Sequence, residues 1–293
     1  MTREVNYTIQ IGTAFDWGQE LIWTLIKEEP LRGENVFVPR PRFYRRQIAK
    51  LAEQFDGTAT TADDLNGVLP LDLGDPDQDL HIVLKVTELM EPQDKFCPAG
   101  DWFFNLGKHA AQYRGVFAPS KVKFMISLRN PAMLVSDAWS SGNYPGFDVI
   151  PPDPFDLHWA TVLRDLRAHC PDVPIIAWSA EDAPLVWGQV LDVAFDPKTK
   201  ISVAGETHLA KQFMNEEGHL RLTEYLDQHE NMPLDKRARV ISTFLKYFPQ
   251  KGALSTEMEI SDWNMEKQNR MQEHYAADLA EVALIDGVTL ITA

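Results

Sequence analysis

The segment that most constrains the fold runs from Lys123 to Trp139: Lys-Phe-Met-Ile-Ser-Leu-Arg-Asn-Pro-Ala-Met-Leu-Val-Ser-Asp-Ala-Trp. Phe124 to Leu128 form a short, mostly apolar run, the pattern of a strand buried on both faces. Arg129-Asn130-Pro131 ends it, because proline has no N–H to give a central ladder. Met133, Leu134, Ala138 and Trp139 then recur at helical spacing. The segment reads as strand, tight turn, helix, with Arg129 at the carboxyl end of a buried strand. Open α/β sheets place their ligand sites at that end, and a helix N-terminus there adds anion-binding amides. The same arginine also suits a plainer role, capping a neighbouring helix or pairing with one of the chain's many acids.

Further strand-like runs occur at Tyr7–Ile11, Val36–Val38, His81–Val86, Val173–Trp178 and Val288–Ile291. Helical patterns alternate with them, among them Leu21–Ile26 and Leu157–His169, the latter with Trp159, Leu163 and Leu166 on one face. Alternation of this kind predicts an α/β fold of three layers, a mainly parallel central sheet with helices on both faces joined by right-handed crossovers. The expectation is one domain over residues 1–293, with an added, mostly helical portion around 186–265. Thr58–Asp79 reads as loop with a short helix, and Gly142–Asp156 as a loop lying over the site. Asp182 reads as an N-cap and Pro184 as a first-turn proline. Lys85, inside an apolar run, reads either as a displaced cation of the site or, the preferred reading, as a lysine snorkelling from an edge strand.

Charge narrows the function classes. The chain carries 28 Lys and Arg against 43 Asp and Glu, a formal net charge of −15. So acidic a surface opposes nucleic acid and anionic membrane as partners. Arg40, Arg42, Arg45, Arg46 and Lys50 form the densest basic cluster, read either as a solvated helix start or as a patch facing a phosphate or an acceptor. Cys97 and Cys170 are too few for a disulfide framework and lack metal-ligand spacing, so no metal is expected. With no signal-like start and no apolar run of membrane-spanning length, the expectation is a cytoplasmic protein without membrane insertion.

On these residues the chain resembles the P-loop sulfotransferase superfamily, in particular bacterial sulfotransferase-like proteins. The Arg129 segment is similar to the strand–turn–helix with which that family grips the 3′-phosphate of the sulfate donor PAPS. The runs PDVPIIAWSAEDAPLVWGQVL (171–191) and YAADLAEV with GVTLI near the C-terminus also resemble it. The resemblance implies PAPS as donor, held by Gly12, Thr13, Arg129 and Ser136, and sulfuryl transfer to a hydroxyl or amine of a small-molecule or glycan acceptor. Glu88, at the end of the His81–Val86 strand, takes the place of the general base, with Glu181 a second candidate. Ser136 lies seven residues after Arg129 where the family has eight, and Asp137 holds the eighth place.

The phosphate loop departs further. Ile11 and Gly12 fit the family pattern, but Phe15 replaces its lysine, Asp16 its first threonine, and Gly18 and Gln19 its last two positions. A lysine there neutralises phosphosulfate charge, whereas an aspartate repels it. Asp16 reads instead as the cap of the Leu21–Ile26 helix. Three readings therefore stand: an active sulfotransferase, a degenerate relative that binds a ligand or protein without catalysis, and a phosphate-handling enzyme that reuses the site.

Overall fold

The computed structural model describes residues 3–12, 17–28, 35–58, 60–69, 71, 74–87, 102–103, 105–141, 153–195, 201–251 and 264–293. Six strands form one sheet: β1 (Val5–Ile11), β2 (Val36–Phe37), β3 (Leu80–Val86), β4 (Lys121–Leu128), β5 (Ile175–Ser179) and β6 (Val288–Ile291). Their order is β2-β3-β1-β4-β5-β6, with every pairing parallel. This differs from the 3-2-1-4-5-6 order of dinucleotide-binding folds and the 2-1-3-4-5 order of flavodoxin-like ones. The expected α/β class and three layers hold, and β4 is one of the two central strands, beside β1.

Period-2 alternation sorts the sheet's two faces. Tyr7, Ile9 and Ile11 of β1, with Ile82, Leu84, Phe124 and Ile126 beside them, face one core. That face is covered by α2 (Arg45–Glu53), α4 (Leu106–Val116), α5 (Pro131–Ser141), α6 (Trp159–His169) and α12 (Met265–Val282). On the other face Val83, Met125 and Trp178 meet Leu21, Ile22 and Leu25 of α1 (Gly18–Lys27) and Val186, Trp187, Val190 and Leu191 of α7 (Ala183–Ala194). The apolar stripe of α6, Trp159, Val162, Leu163 and Leu166, explains why it forms and which way it turns.

A short helix α3 (Ala62–Asn66) lies within the glycine- and aspartate-rich stretch. The helical portion consists of α8 (Val203–Glu206), α9 (Ala210–Phe213), α10 (Glu216–Asp227) and α11 (Leu234–Tyr247). These gather a small core of their own around Ala210, Met214, Leu222, Leu226 and Ile241. Arg237 of α11, nearly buried, bonds Glu206 of α8 in a two-pronged pair at 2.7 and 2.5 Å, which matches the planar guanidinium to the carboxylate.

Two readings need correction. Lys85 does not reach solvent from an edge strand: β3 lies between β2 and β1, and Lys85 is only 7 % exposed. β2 pairs only with His81 and Ile82, so at Lys85 the ladder has no partner from β2. Tyr44 stands in for it, its hydroxyl taking the Lys85 N–H at 2.7 Å and lying 3.2 Å from the Lys85 carbonyl. Asp182 does occupy the N-cap position of α7 with Pro184 in the first turn, but its carboxylate makes no cap bond. It accepts instead from the Ala293 amide at 3.2 Å, tying the C-terminus to the end of β5.

Candidate functional site

Chain order places β1 between β3 on one side and β4 on the other, so successive connections leave it in opposite directions. Such a switch point opens a crevice at the carboxyl ends of the strands. Ile11 aligns with Ile126, so Gly12, buried directly after β1, and Arg129, directly after β4, leave the sheet at the same end. Gly12 and Arg129 thus follow neighbouring strands at the same end of the sheet. Thr13 and Glu88 lie outside the described residues, as do Phe15 and Asp16 of the phosphate loop. The residue at the N-cap position of α1 is Trp17, which makes no side-chain cap bond there; its indole N–H donates to the Ala180 carbonyl at 2.7 Å.

The turn after β4 is built from local chemistry. Asn130, buried, caps α5: its Oδ1 accepts the Ala132 N–H at 3.0 Å, and Pro131 occupies the first helical position, where no N–H is required. The Arg129 carbonyl accepts the Trp159 indole N–H at 2.8 Å, which anchors the turn to α6. With its backbone held on both sides, Arg129 has little freedom in where it points.

It points at Asp137. The Arg129 Nη2–Asp137 Oδ2 distance is 2.5 Å, and the two side chains are 18 % and 31 % exposed. Burial pushes the Asp137 carboxyl above the usual carboxylate range, against the pull of the Arg129 charge. The Nε of Arg129 is buried without a hydrogen-bond partner. Ser136, the residue the resemblance would place on a phosphate, is buried in α5, and its carbonyl accepts the Ser140 hydroxyl at 2.9 Å. The eighth-place acid, not the serine, pairs with the arginine.

A second carboxyl closes the far side. Glu181 is exposed as a residue, yet its carboxylate turns inward, taking the Asn130 N–H at 3.0 Å and lying 2.8 Å from the Tyr275 hydroxyl. Enclosure of these oxygens raises its pKa; the Asn130 and Tyr275 contacts and the Arg129 charge oppose the rise. Tyr275 of α12 is buried, and its own pKa lies well above the usual phenol value, through burial first and the Glu181 charge second. Gln272, one turn earlier on α12, lies 3.4 Å from the Asn130 amide nitrogen. Sequence reasoning ranked Glu181 second and did not select Tyr275. Nothing in the helical pattern of α12 marks that tyrosine, whereas the acid in place of the family's serine was a readable signal for Asp137.

As arranged, these residues form two carboxyl groups, a phenol and one guanidinium at the end of a parallel sheet. That set can move protons and hold a polar ligand. It does not present the free arginine that a 3′-phosphate needs, so the residues present do not fit PAPS as they stand. Among the described residues no group of three or more histidines, cysteines or acids is placed to hold a metal ion, and no helix is long and apolar enough to cross a membrane. Compared with models of known protein families, with curated proteins and with solved structures, the chain has no significant match.

Proposed function

We propose that this chain is a degenerate sulfotransferase-like protein that binds a ligand at the carboxyl ends of β1 and β4 without carrying out sulfuryl transfer. The observation that carries this reading is the Arg129–Asp137 pair. A dianionic 3′-phosphate would have to displace a carboxylate already 2.5 Å from the guanidinium and leave that carboxylate enclosed without its counter-charge. In the segment that follows β1 the sequence offers Phe15 and Asp16 where a donor-binding loop needs lysine and hydroxyls.

One observation favours transfer as a second reading. The buried Arg129 Nε–H lacks an acceptor, and an acceptor from a ligand oxygen would complete it. Transfer from PAPS to a hydroxyl or amine would then rest on Glu88 as base, and on a bound state in which Asp137 has turned away.

Adenosine 3′,5′-bisphosphate separates the two. Under the proposal it binds wild-type protein with a dissociation constant on the order of hundreds of micromolar, giving a small thermal shift at millimolar nucleotide. Asp137→Ser frees the guanidinium and tightens binding by roughly tenfold, the scale of one charge-assisted hydrogen bond, and Arg129→Ala abolishes it. Micromolar binding to the wild type, unchanged in Asp137→Ser, would refute the proposal and restore transfer.

A further inference from the structure

Away from the crevice, the same end of the sheet carries an exposed basic surface. Arg40, Arg42, Arg45, Arg46 and Lys50 lie on the 3-10 turn Pro41–Phe43 with its flank and on α2, all exposed. The reason is anchoring from within: Tyr44, Ile48 and Ala52 are buried, which leaves the intervening cations facing water. Tertiary packing then adds an aromatic from another element. The Arg40 guanidinium lies 5.7 Å from the ring centre of Trp23 on α1, and that of Arg42 lies 4.6 Å from Phe43. Phe43 is 60 % exposed and Trp23 38 %.

A solvated helix start accounts for exposed arginines but not for the rest. Arg40, Arg42, Arg46 and Lys50 have no carboxylate partner among the described residues, although acids outnumber bases 43 to 28 in the chain. Two large rings stay in water beside them. Arginine with tryptophan and phenylalanine is the composition enriched in protein interfaces, and residues of these types dominate binding energy there. Guanidiniums stacked on rings are also partly ordered before any partner arrives, which lowers the entropy lost on docking.

We propose that this surface docks an acidic segment of a partner protein, its carboxylates on Arg40, Arg42 and Arg46 and an apolar side chain over Phe43 and Trp23. An oligophosphate would use the cations and leave both rings exposed. An extended polyanion such as nucleic acid would carry its charge beyond the patch onto a chain of net charge −15, whereas a short acidic segment stays within the basic cluster. The surface acts independently of the Arg129–Asp137 pair.

The test uses the full chain and a short fluorescein-labelled peptide of glutamates interrupted by tryptophan, followed by fluorescence anisotropy. The peptide is expected to bind at low salt and weaken as salt rises. Arg40→Glu/Arg42→Glu/Arg46→Glu should weaken it by about tenfold or more, and Phe43→Ser alone by several-fold. All four side chains are exposed, so unchanged melting certifies the variants; if the triple variant fails to fold, Arg42→Glu carries the test. Absence of peptide binding, or binding equal in wild type and variants, would overturn the proposal. So would complete competition by tripolyphosphate with Phe43→Ser unaffected, which marks an oligoanion site. Self-association of the wild type that the charge reversal abolishes would overturn it too, because a second copy would then be the occupant.

Discussion

Tyr275 has one hydroxyl proton and two acceptors at 2.8 Å, the Leu128 carbonyl and a Glu181 oxygen. A single proton serves only one of them. An ionised Glu181 accepts the phenol proton, the contact that opposes the rise of its pKa, whereas a protonated Glu181 gives its proton to the phenol oxygen and leaves the phenol to serve Leu128. The raised pKa of Glu181, caused first by enclosure of its carboxyl, favours the protonated form. The sign of the linkage follows. With a folded-state pKa above the ordinary carboxylate range, the folded protein holds this proton longer than the unfolded chain. The contribution is full at low pH and is lost as pH rises from that range through the folded pKa. Glu181→Gln keeps a donor toward Tyr275 and has no charge to enclose. The variant should therefore match wild type in acid and gain stability over it as pH rises toward neutrality. Urea melts across that range check this; a variant less stable at neutral pH than in acid, relative to wild type, would sink it. Of the charges facing this carboxyl, Arg129 opposes the effect.

At the scale of elements, the helices around the crevice are held by caps from different distances. The cap of α5 is local, Asn130 two residues before the amide it serves. The cap of α6 is tertiary: Asp278 of α12, buried, accepts the amides of Trp159 at 2.5 Å and Ala160 at 2.9 Å. Because α12 also carries Tyr275 and Gln272, this one carboxylate sets the height of that helix over the carboxyl ends of β4 and β5. Asp278→Ala leaves two buried amides without acceptors and should cost about 2–4 kcal/mol, more than the roughly 1 kcal/mol expected for Asn130→Ala. Chemical denaturation of the two variants measures the difference, and equal losses would mean that the α6 amides find water.

For the whole molecule, charge is the dominant global term. A net charge of −15 repels itself in the folded state more than in the expanded chain. Surface ion pairs that salt would weaken, such as Lys121–Glu4 and Arg164–Glu281, are exposed and each contributes little. Screening of repulsion should win, so the melting temperature is expected to rise by a few degrees between low salt and about 0.3 M sodium chloride, where the Debye length falls to about 6 Å. A fall over that range would show that attraction, not repulsion, dominates the surface.

What the sequence determined by itself is what short-range chemistry decides. A buried apolar run, a proline without an N–H, an asparagine before it and apolar residues at helical spacing are enough to place β4, the turn and α5, with Arg129 at the strand's end. The same signals, repeated along the chain, are enough for the α/β class. Tertiary structure alone decided what each polar group meets. Residues 136 and 137 differ by about 100° around α5, and the held backbone of Arg129 selects the aspartate. Lys85 is buried because β1 on one side and the buried Tyr44 on the other flank its part of β3, and Asp182 takes a C-terminal amide in place of its own helix's. Tyr275 reaches Leu128 and Glu181 across most of a sheet connection, and Trp23 lies beneath Arg40 from a different helix. Helix and strand signals live within a few residues because backbone hydrogen bonds and side-chain period do. Ion pairs, caps and stacked rings depend on distance through space, which sequence separation does not encode.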